Sequence, residues 1–506
     1  MTTVTLPIAE YLPDMPDFPA SGSSSIRNVY PRTPMSYGAI NAPAIVYDAL
    51  AKRCQGGCAY RDSGGGTHLF AGDANDLYTV VASDATWQNV SKSAGVYNVD
   101  PEEEWEFAYF NGDLVATNFA DNPQVFTLAS SVAFADLMGG PPRARYVTVV
   151  KNAFVAFGNT YDTSNGNMPQ RVWWSATGNH KNWPVLGSAA AAQVQSGAVD
   201  LLGDGGWIKG FASDLVNADA VVFQEYEVKQ MIYAGPPTIF NFIPVEAARG
   251  TPAPYSIVPT GGIAYYLGQD GFYAFDGSAS RPIGANRVDK TFFAAVQDLS
   301  RVVGAADPLN RLVWWAYPGP GSVAGNPTEI LIYNWHLDRW AIADVSCETI
   351  MRLLSVGYTL DQLYTVLGYT LDNLPAPLDS PIWQGGRLNL GIFDTNHKLN
   401  FFTGTPLAAT VESSETQAIP GRRALITNSR PLVDGVGSTA SVSIGHRERQ
   451  QDAVSYGGAV ALNSMGTCPQ RVSGRYLRAK TTIASGSTTW TNVSGVEIDY
   501  VGQGTR

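Results

Sequence analysis

The sequence predicts an all-β protein: a β-propeller-like body of four-stranded blades, few short helices and a C-terminal β region. Three observations predict it. Most of the 506-residue chain consists of short aromatic and β-branched runs punctuated by Gly, Asn and Asp, the pattern of strands and hairpins. Helical periodicity is scarce. A Trp-rich strand pattern also recurs at a distance that suits serial blades.

Hairpins are the clearest elements. Ile263-Ala264-Tyr265-Tyr266-Leu267 and Phe272-Tyr273-Ala274-Phe275 flank Gly268-Gln269-Asp270-Gly271, and an Asp-Gly turn between apolar runs supplies the positive φ a tight hairpin needs. His68–Gly72 with Leu77–Val81, and Phe107–Phe110 with Leu114–Thr117, repeat the unit. The best helical pattern runs from Arg287 to Val303, where Val288, Phe292, Val296, Leu299 and Val303 recur at helical spacing. A shorter helical candidate covers Ala44 to Lys52. Arg171-Val172-Trp173-Trp174 is echoed by Arg311-Leu312-Val313-Trp314-Trp315, with Val172 and Val313 separated by 141 residues. That distance equals three units of about 47, inside the range of propeller blades. The aromatic side chains are expected to fill the space between packed sheets. Gly357–Asp361 and Gly368–Asp372 repeat Gly-Tyr-Thr-Leu-Asp, too close together for a blade, and read as an ordered loop or duplicated turn. These elements divide the chain into an N-terminal extended arm (1–45), a propeller body (46–410) and a C-terminal β region (411–506).

Composition excludes several classes. Hydrophobic residues are 45% and charged residues 15%, which rules out a disordered chain or a coiled coil. A net charge of -11 argues against a protein that grips nucleic-acid phosphates over its whole surface. The charge is uneven: residues 411–506 hold ten Lys/Arg against seven Asp/Glu, and residues 1–410 hold 23 against 37. Four cysteines are too few for a disulfide framework and fit a reducing compartment. The N-terminus lacks the basic start and apolar stretch of a secretory leader. The longest uncharged stretch, Thr251 to Gln269, carries Pro252, Pro254, Pro259 and three glycines, so no membrane anchor is expected.

No chemistry emerges from the motifs. Cys54-Gln55-Gly56-Gly57-Cys58 is the one close cysteine pair; a closed zinc site needs four N/S ligands, and His68 could add only one. His68, His180, His336, His397 and His446 form no HExxH or HxH pattern. Gly203-Asp204-Gly205-Gly206-Trp207 lacks the lysine and hydroxyl of a phosphate loop, and no G-x-S-x-G elbow is present. Glu102-Glu103-Glu104 offers carboxylates, but neighbours in sequence cannot straddle a sugar, and a solvated acidic turn is expected. Ser83-Asp84-Ala85-Thr86-Trp87 is only a fragment of a sialidase box. Arg471, Arg475, Arg478 and Lys480 lie around Tyr476 and near Trp490; they could bind nucleic acid, but Arg475 to Ile483 reads better as one strand with a polar face.

The order of the pieces resembles a known family. Tyr11-Leu12-Pro13-Asp14, Asn28-Val29-Tyr30-Pro31-Arg32 and Tyr37-Gly38 resemble the start of tail hub, or nozzle, proteins of short-tailed bacteriophages. Asn122–Phe126, Trp174-Ser175-Ala176 with Asn182-Trp183-Pro184, Gly271–Gly277, and Tyr333-Asn334-Trp335 with Arg339-Trp340 follow in that family's order, as do Gly474–Ala479 and Gly495–Tyr500. The resemblance implies a propeller-like body and a homohexameric ring at the distal end of the virion tail, assembled in the host cytoplasm. It implies a tail adaptor ring as partner, tail fibres or spikes and a needle or plug as further neighbours, and transient passage of double-stranded DNA. It implies no enzyme activity, so no catalytic, cofactor or metal residues are named. An acidic wall suits passage, because it repels phosphate within a Debye length of about 8 Å. The basic C-terminal stretch would then face an acidic neighbour or close the propeller against the N-terminal strands. The competing readings are a glycan-binding or depolymerase propeller, motivated by twelve tryptophans, and a secreted adhesin, which the missing leader disfavours.

Overall fold

The computed structural model describes residues 2–16, 18, 22–62, 66–81, 86–355, 370, 373, 387–435, 439–486 and 490–504. Among them, seven four-stranded antiparallel sheets follow one another along the chain. Their first strands are Gly57–Arg61, Glu106–Phe110, Arg143–Val150, Ile208–Leu215, Val258–Thr260, Val303–Asp307 and Thr349–Leu354. Each first strand adjoins the next, and Thr349–Leu354 returns to adjoin Gly57–Arg61, so the sheets are the blades of a closed β-propeller. Antiparallel connection makes every first strand run the same way. The connectors that lead into the blades therefore gather at one rim, here called the connector side.

Aromatic side chains set the spacing between blades. Adjacent residues on a strand point to opposite faces, and the Trp-Trp pairs use this. In blade 6, Trp315 on Leu312–Tyr317 meets Phe272 of blade 5 at 4.7 Å between ring centroids, while Trp314 meets Phe402 at 5.1 Å on the other side. In blade 3, Trp174 packs on Phe240 of blade 4 at 5.1 Å, and Trp173 joins the cluster with Ala108 and Phe110 of blade 2. The pairs differ in phase, however. Trp173 and Trp174 end a third strand, whereas Trp314 and Trp315 lie on a second strand. The 141-residue echo thus marks equivalent packing and not an exact three-blade period. Blade lengths also vary, since α1 (Ala189–Val194) and its loops enlarge blade 3.

The last blade is completed from the front of the chain. Leu388–Phe393 and Lys398–Phe401 continue blade 7, and its outer strand is Ala44–Ala49, with Leu399 opposite Tyr47 and Phe401 opposite Ala44. The helix expected over Ala44 to Lys52 is therefore a strand. Its apolar residues fit either period, and the unpaired edge of Lys398–Phe401 decides between them. The helix expected from Arg287 to Val303 is also shorter: α2 spans Asp289–Ala295, a 3-10 turn spans Leu299–Arg301, and the backbone turns extended at Val296.

The C-terminal region builds a β-sandwich and does not close the propeller. One sheet holds Cys468–Gly474, Ala424–Asp434, Asn492–Gly502, Ser36–Ala39 and Val29–Thr33, with Thr2–Pro7 also paired to Asn492–Gly502. The other holds Ala409–Glu412, Tyr476–Ile483 and Ala440–Arg447, with Ser455–Tyr456 and Val460–Ala461 at its edge. Leu6, Ile426, Val442, Ile444, Leu477 and Ile498 fill the space between them. The N-terminal arm thus supplies strands to the sandwich and also covers the outer edge of blade 6. Asn28 N–H donates to Ile342 O at 2.8 Å, Asn334 Nδ2 to Pro31 O at 2.9 Å, and Tyr37 Oη to Trp340 O at 3.3 Å. Asp14 caps α2 from outside, accepting from Lys290 and Thr291 N–H at 2.8 Å each. Covering an edge strand in this way removes a template for unwanted pairing. The Gly-Tyr-Thr-Leu-Asp repeat lies outside the described residues, Thr370 excepted.

Candidate functional site

The first strands of all seven blades line a central channel with a cavity of about 460 Å³. This is the size of a small-molecule pocket, about 300–1,000 Å³. Its polar wall comes from the segment that leads into blade 2. Strand alternation explains the pattern: Trp105 turns outward and is 3% exposed, while Glu104 and Glu106 on either side of it line the channel. Of the three consecutive glutamates, only Glu102 is exposed. Glu103 forms an ion pair with Arg145, and Glu104 belongs to the channel. The solvated turn expected from sequence therefore describes one residue of the three.

Protein walls surround both channel carboxylates even though channel solvent touches them. Burial pushes the Glu106 carboxyl up to about 8, and the Glu104 charge pushes the same way. Burial also raises Glu104, opposed by Arg53 and Arg301. The two stand on one wall, two residues apart, and not on opposite sides of a space for a scissile bond. This arrangement has a pH consequence. From about the usual 4.5 up to about 8 the folded chain keeps a proton on Glu106 that the unfolded chain loses. Stability therefore falls as pH rises through that window. Glu106→Gln is expected to remove on the order of 2 kcal/mol of this fall, after allowing for channel water. Chemical denaturation of wild type and variant at pH about 5 and about 9 measures the difference. Asp289, raised by burial to about 7, adds a slope of the same sign that both proteins share.

At the connector side, residues 100–104 lie across the mouth of the channel. Arg53, leading into blade 1, donates to Pro101 O at 2.7 Å, and Arg301, leading into blade 6, donates to the same oxygen at 2.9 Å. Tyr255, leading into blade 5, accepts the Glu104 N–H at 2.8 Å. Gln55, 2% exposed, donates to Asp100 O and Glu103 O at 2.7 Å each. Blades 5 and 6 stand opposite blade 2 in a ring of seven, so these contacts span the opening. The alternation Glu104-Trp105-Glu106 was the one signal in the sequence that could have placed carboxylates on an inner wall.

The other sequence candidates are dispersed. Cys54, Cys347 and Cys468 are buried free thiols, and Cys58 is a free thiol in the channel lining. Burial raises the Cys54 and Cys58 thiols well above their usual range, the opposite of an activated nucleophile. His68 contacts Asp62 at 3.0 Å, His180 contacts Asp113 at 3.0 Å and His397 contacts Glu348 at 2.6 Å. No group of three or more His, Cys, Asp or Glu able to hold a metal occurs among the described residues. Gly203 and Gly206 take positive φ in the turn before blade 4. Arg478 and Lys480 share the strand Tyr476–Ile483, but Arg478 is turned inward between Glu412 and Glu415 at 3.5 and 3.3 Å. The fragment Ser83–Ala85 lies outside the described residues.

No helix among the described residues is long and apolar enough to cross a membrane. No protein-family model and no curated protein matches the chain. Among solved structures, it is similar to a chain of the Mitotic Checkpoint Complex at 10% identity and TM-score 0.41, covering 71% of this chain and 95% of that one. It is also similar to the computationally designed Ika8 protein at 9% identity and TM-score 0.36, covering 78% and 99%. An exo-beta-1,3-galactanase from Phanerochaete chrysosporium aligns at 11% identity and TM-score 0.29, covering 90% and 100%. Likeness at this level carries no functional argument.

Proposed function

We propose that the chain is a structural virion protein: the distal tail nozzle of a short-tailed bacteriophage. On this reading it forms a homohexameric ring below the tail adaptor ring, retains packaged DNA and lets it pass during ejection. The observation that carries the reading is the ordered run of nozzle-like motifs. Two of those motifs meet in space, with Tyr37 on Trp340 and Pro31 on Asn334. A cavity of about 460 Å³ suits a small ligand and not a duplex whose major groove alone is about 12 Å wide. On the nozzle reading the conduit for DNA lies between copies in the ring and not through one propeller. The net charge of -11 suits a wall that phosphate slides past. Negative-stain images of the protein mixed with its candidate adaptor ring test the reading: six-fold rings seated on the adaptor are expected, and no association would overturn it.

A second reading, glycan binding, is favoured by one residue. Among the described residues Trp207 is the one exposed tryptophan, at 49%, and Tyr226, at 53%, is on the segment bonded to it. A sugar platform would use these rings. Under the nozzle reading, Trp207→Ala leaves capsule-polysaccharide binding at background, as in wild type. Binding by wild type that the substitution abolishes would favour the glycan reading; surface-immobilised polysaccharide provides the assay.

A further inference from the structure

The segment that crosses the channel mouth is fixed at both ends and held only by polar contacts between them. Val99 is 4% exposed and bonded through its N–H to Ala74 O at 2.9 Å. Trp105 is 3% exposed, its N–H donating to Gln55 O at 2.6 Å and its indole N–H to Asp73 O at 3.0 Å. Between these anchors, Asp100, Pro101 and Glu102 are exposed, and Glu103 and Glu104 are half-buried. None of the five adds an apolar side chain to a buried cluster. Two guanidinium groups converge on one neutral carbonyl, Pro101 O, with the Glu104 carboxyl beside both. Arg53 Nη1 has no hydrogen-bond partner, so the hold is incomplete as well as polar.

We propose that residues 100–104 are a hinged strap that opens and closes the connector-side mouth of the propeller channel, latched shut by Arg53, Arg145 and Arg301. Segments that lack buried apolar contacts open at a small fraction of the global unfolding free energy, and here the anchors at Val99 and Trp105 confine the opening to the strap. Closure is made by side chains from four places in the ring: Arg53 before blade 1, Arg145 on the first strand of blade 3, Tyr255 before blade 5 and Arg301 before blade 6. The strap would control access of small polar solutes to Glu106 and to the channel interior. The inference concerns each propeller's own channel and stands apart from the proposed path of DNA.

Cys58 is the half-buried thiol: it borders the channel and also packs on the cluster between blades 1 and 2, so its labelling is slow and is read beside a second probe. The rate of its reaction with a small maleimide, assigned by comparison with Cys58→Ser, reads opening of the mouth. Arg53→Gln with Arg301→Gln removes both bonds to Pro101 O and is expected to speed labelling by about tenfold or more, a change in local opening equilibrium of the kind described for sub-global motions. Glu103→Gln, which touches only the Arg145 pair, is expected to speed it less. A second probe, Ser213→Cys in the Cys58→Ser background, is expected to show the same order. Equal labelling rates in wild type and in folded variants at both probes would overturn the strap, whatever the oligomeric state of the protein.

Discussion

Replacing Arg478 by methionine is expected to cost about 3–5 kcal/mol, because it leaves the buried Glu412 carboxylate without its counter-charge. The residue links the two ends of the chain. Its guanidinium lies between Glu412 and Glu415, which are 0% and 6% exposed, at 3.5 and 3.3 Å. Arg447 also reaches Glu415, at 2.5 Å. Ser23 of the N-terminal arm donates to Glu412 at 2.5 Å, and Tyr456 donates to the same carboxylate. Losing the arginine therefore leaves Glu412 without a cation and Glu415 with Arg447 alone, at the surface where the arm docks. Urea denaturation measures the loss. Glu412→Gln with Arg478→Met is expected to recover part of it, since removing both charged partners is milder than removing one. A cost below 1 kcal/mol for Arg478→Met alone would show that the cluster is solvated.

A similar loss, about 3–5 kcal/mol, is expected from Trp315→Ala, in the range for large aromatic side chains removed from a core. Trp315 is 0% exposed and stacks near Phe272 at 4.7 Å and Trp340 at 5.9 Å. Its indole N–H donates to Ser256 O at 2.9 Å. The side chain thus joins blade 6 to blade 5 and to the connector that carries Tyr255 at the channel mouth. Gly304 presses against the same ring: a Cβ there would stand 3.0 Å from Trp315 Cδ1. The neighbouring blades cannot collapse around the hole without shifting the ring of first strands, so the cavity term should be nearly complete. Melting followed by circular dichroism should show one lowered transition. A second, separate transition would mean that blades 5 and 6 unfold apart from the rest.

Much of the architecture was legible because its signals are local. The hairpins around Gly268–Gly271, at His68–Val81 and at Phe107–Thr117 are all antiparallel pairs within blades, although the positive φ expected of the Asp-Gly turn is found at Asn111 and Gly112 and not at Gly268 or Gly271. The Trp-Trp pairs announced the filling between sheets, because adjacent strand residues face opposite ways. What depended on distant partners was hidden. Ala44–Ala49 has only Tyr47 fully buried, so neither period stands out, and its role is set by Lys398–Phe401 more than 300 residues away. The same holds for Arg478, which reads as one of several surface cations until Glu412 and Glu415 are brought over it. Glu104 and Glu106 were partly readable: strand alternation predicts that they share a face, but only the ring shows that this face is an inner wall.

The most direct test of the central proposal is the native mass of the protein at working concentration, measured alone and with the adaptor ring. The nozzle reading predicts a species of six chains of 54.2 kDa each, formed alone or on the adaptor. A stable monomer that ignores the adaptor at every concentration would contradict it.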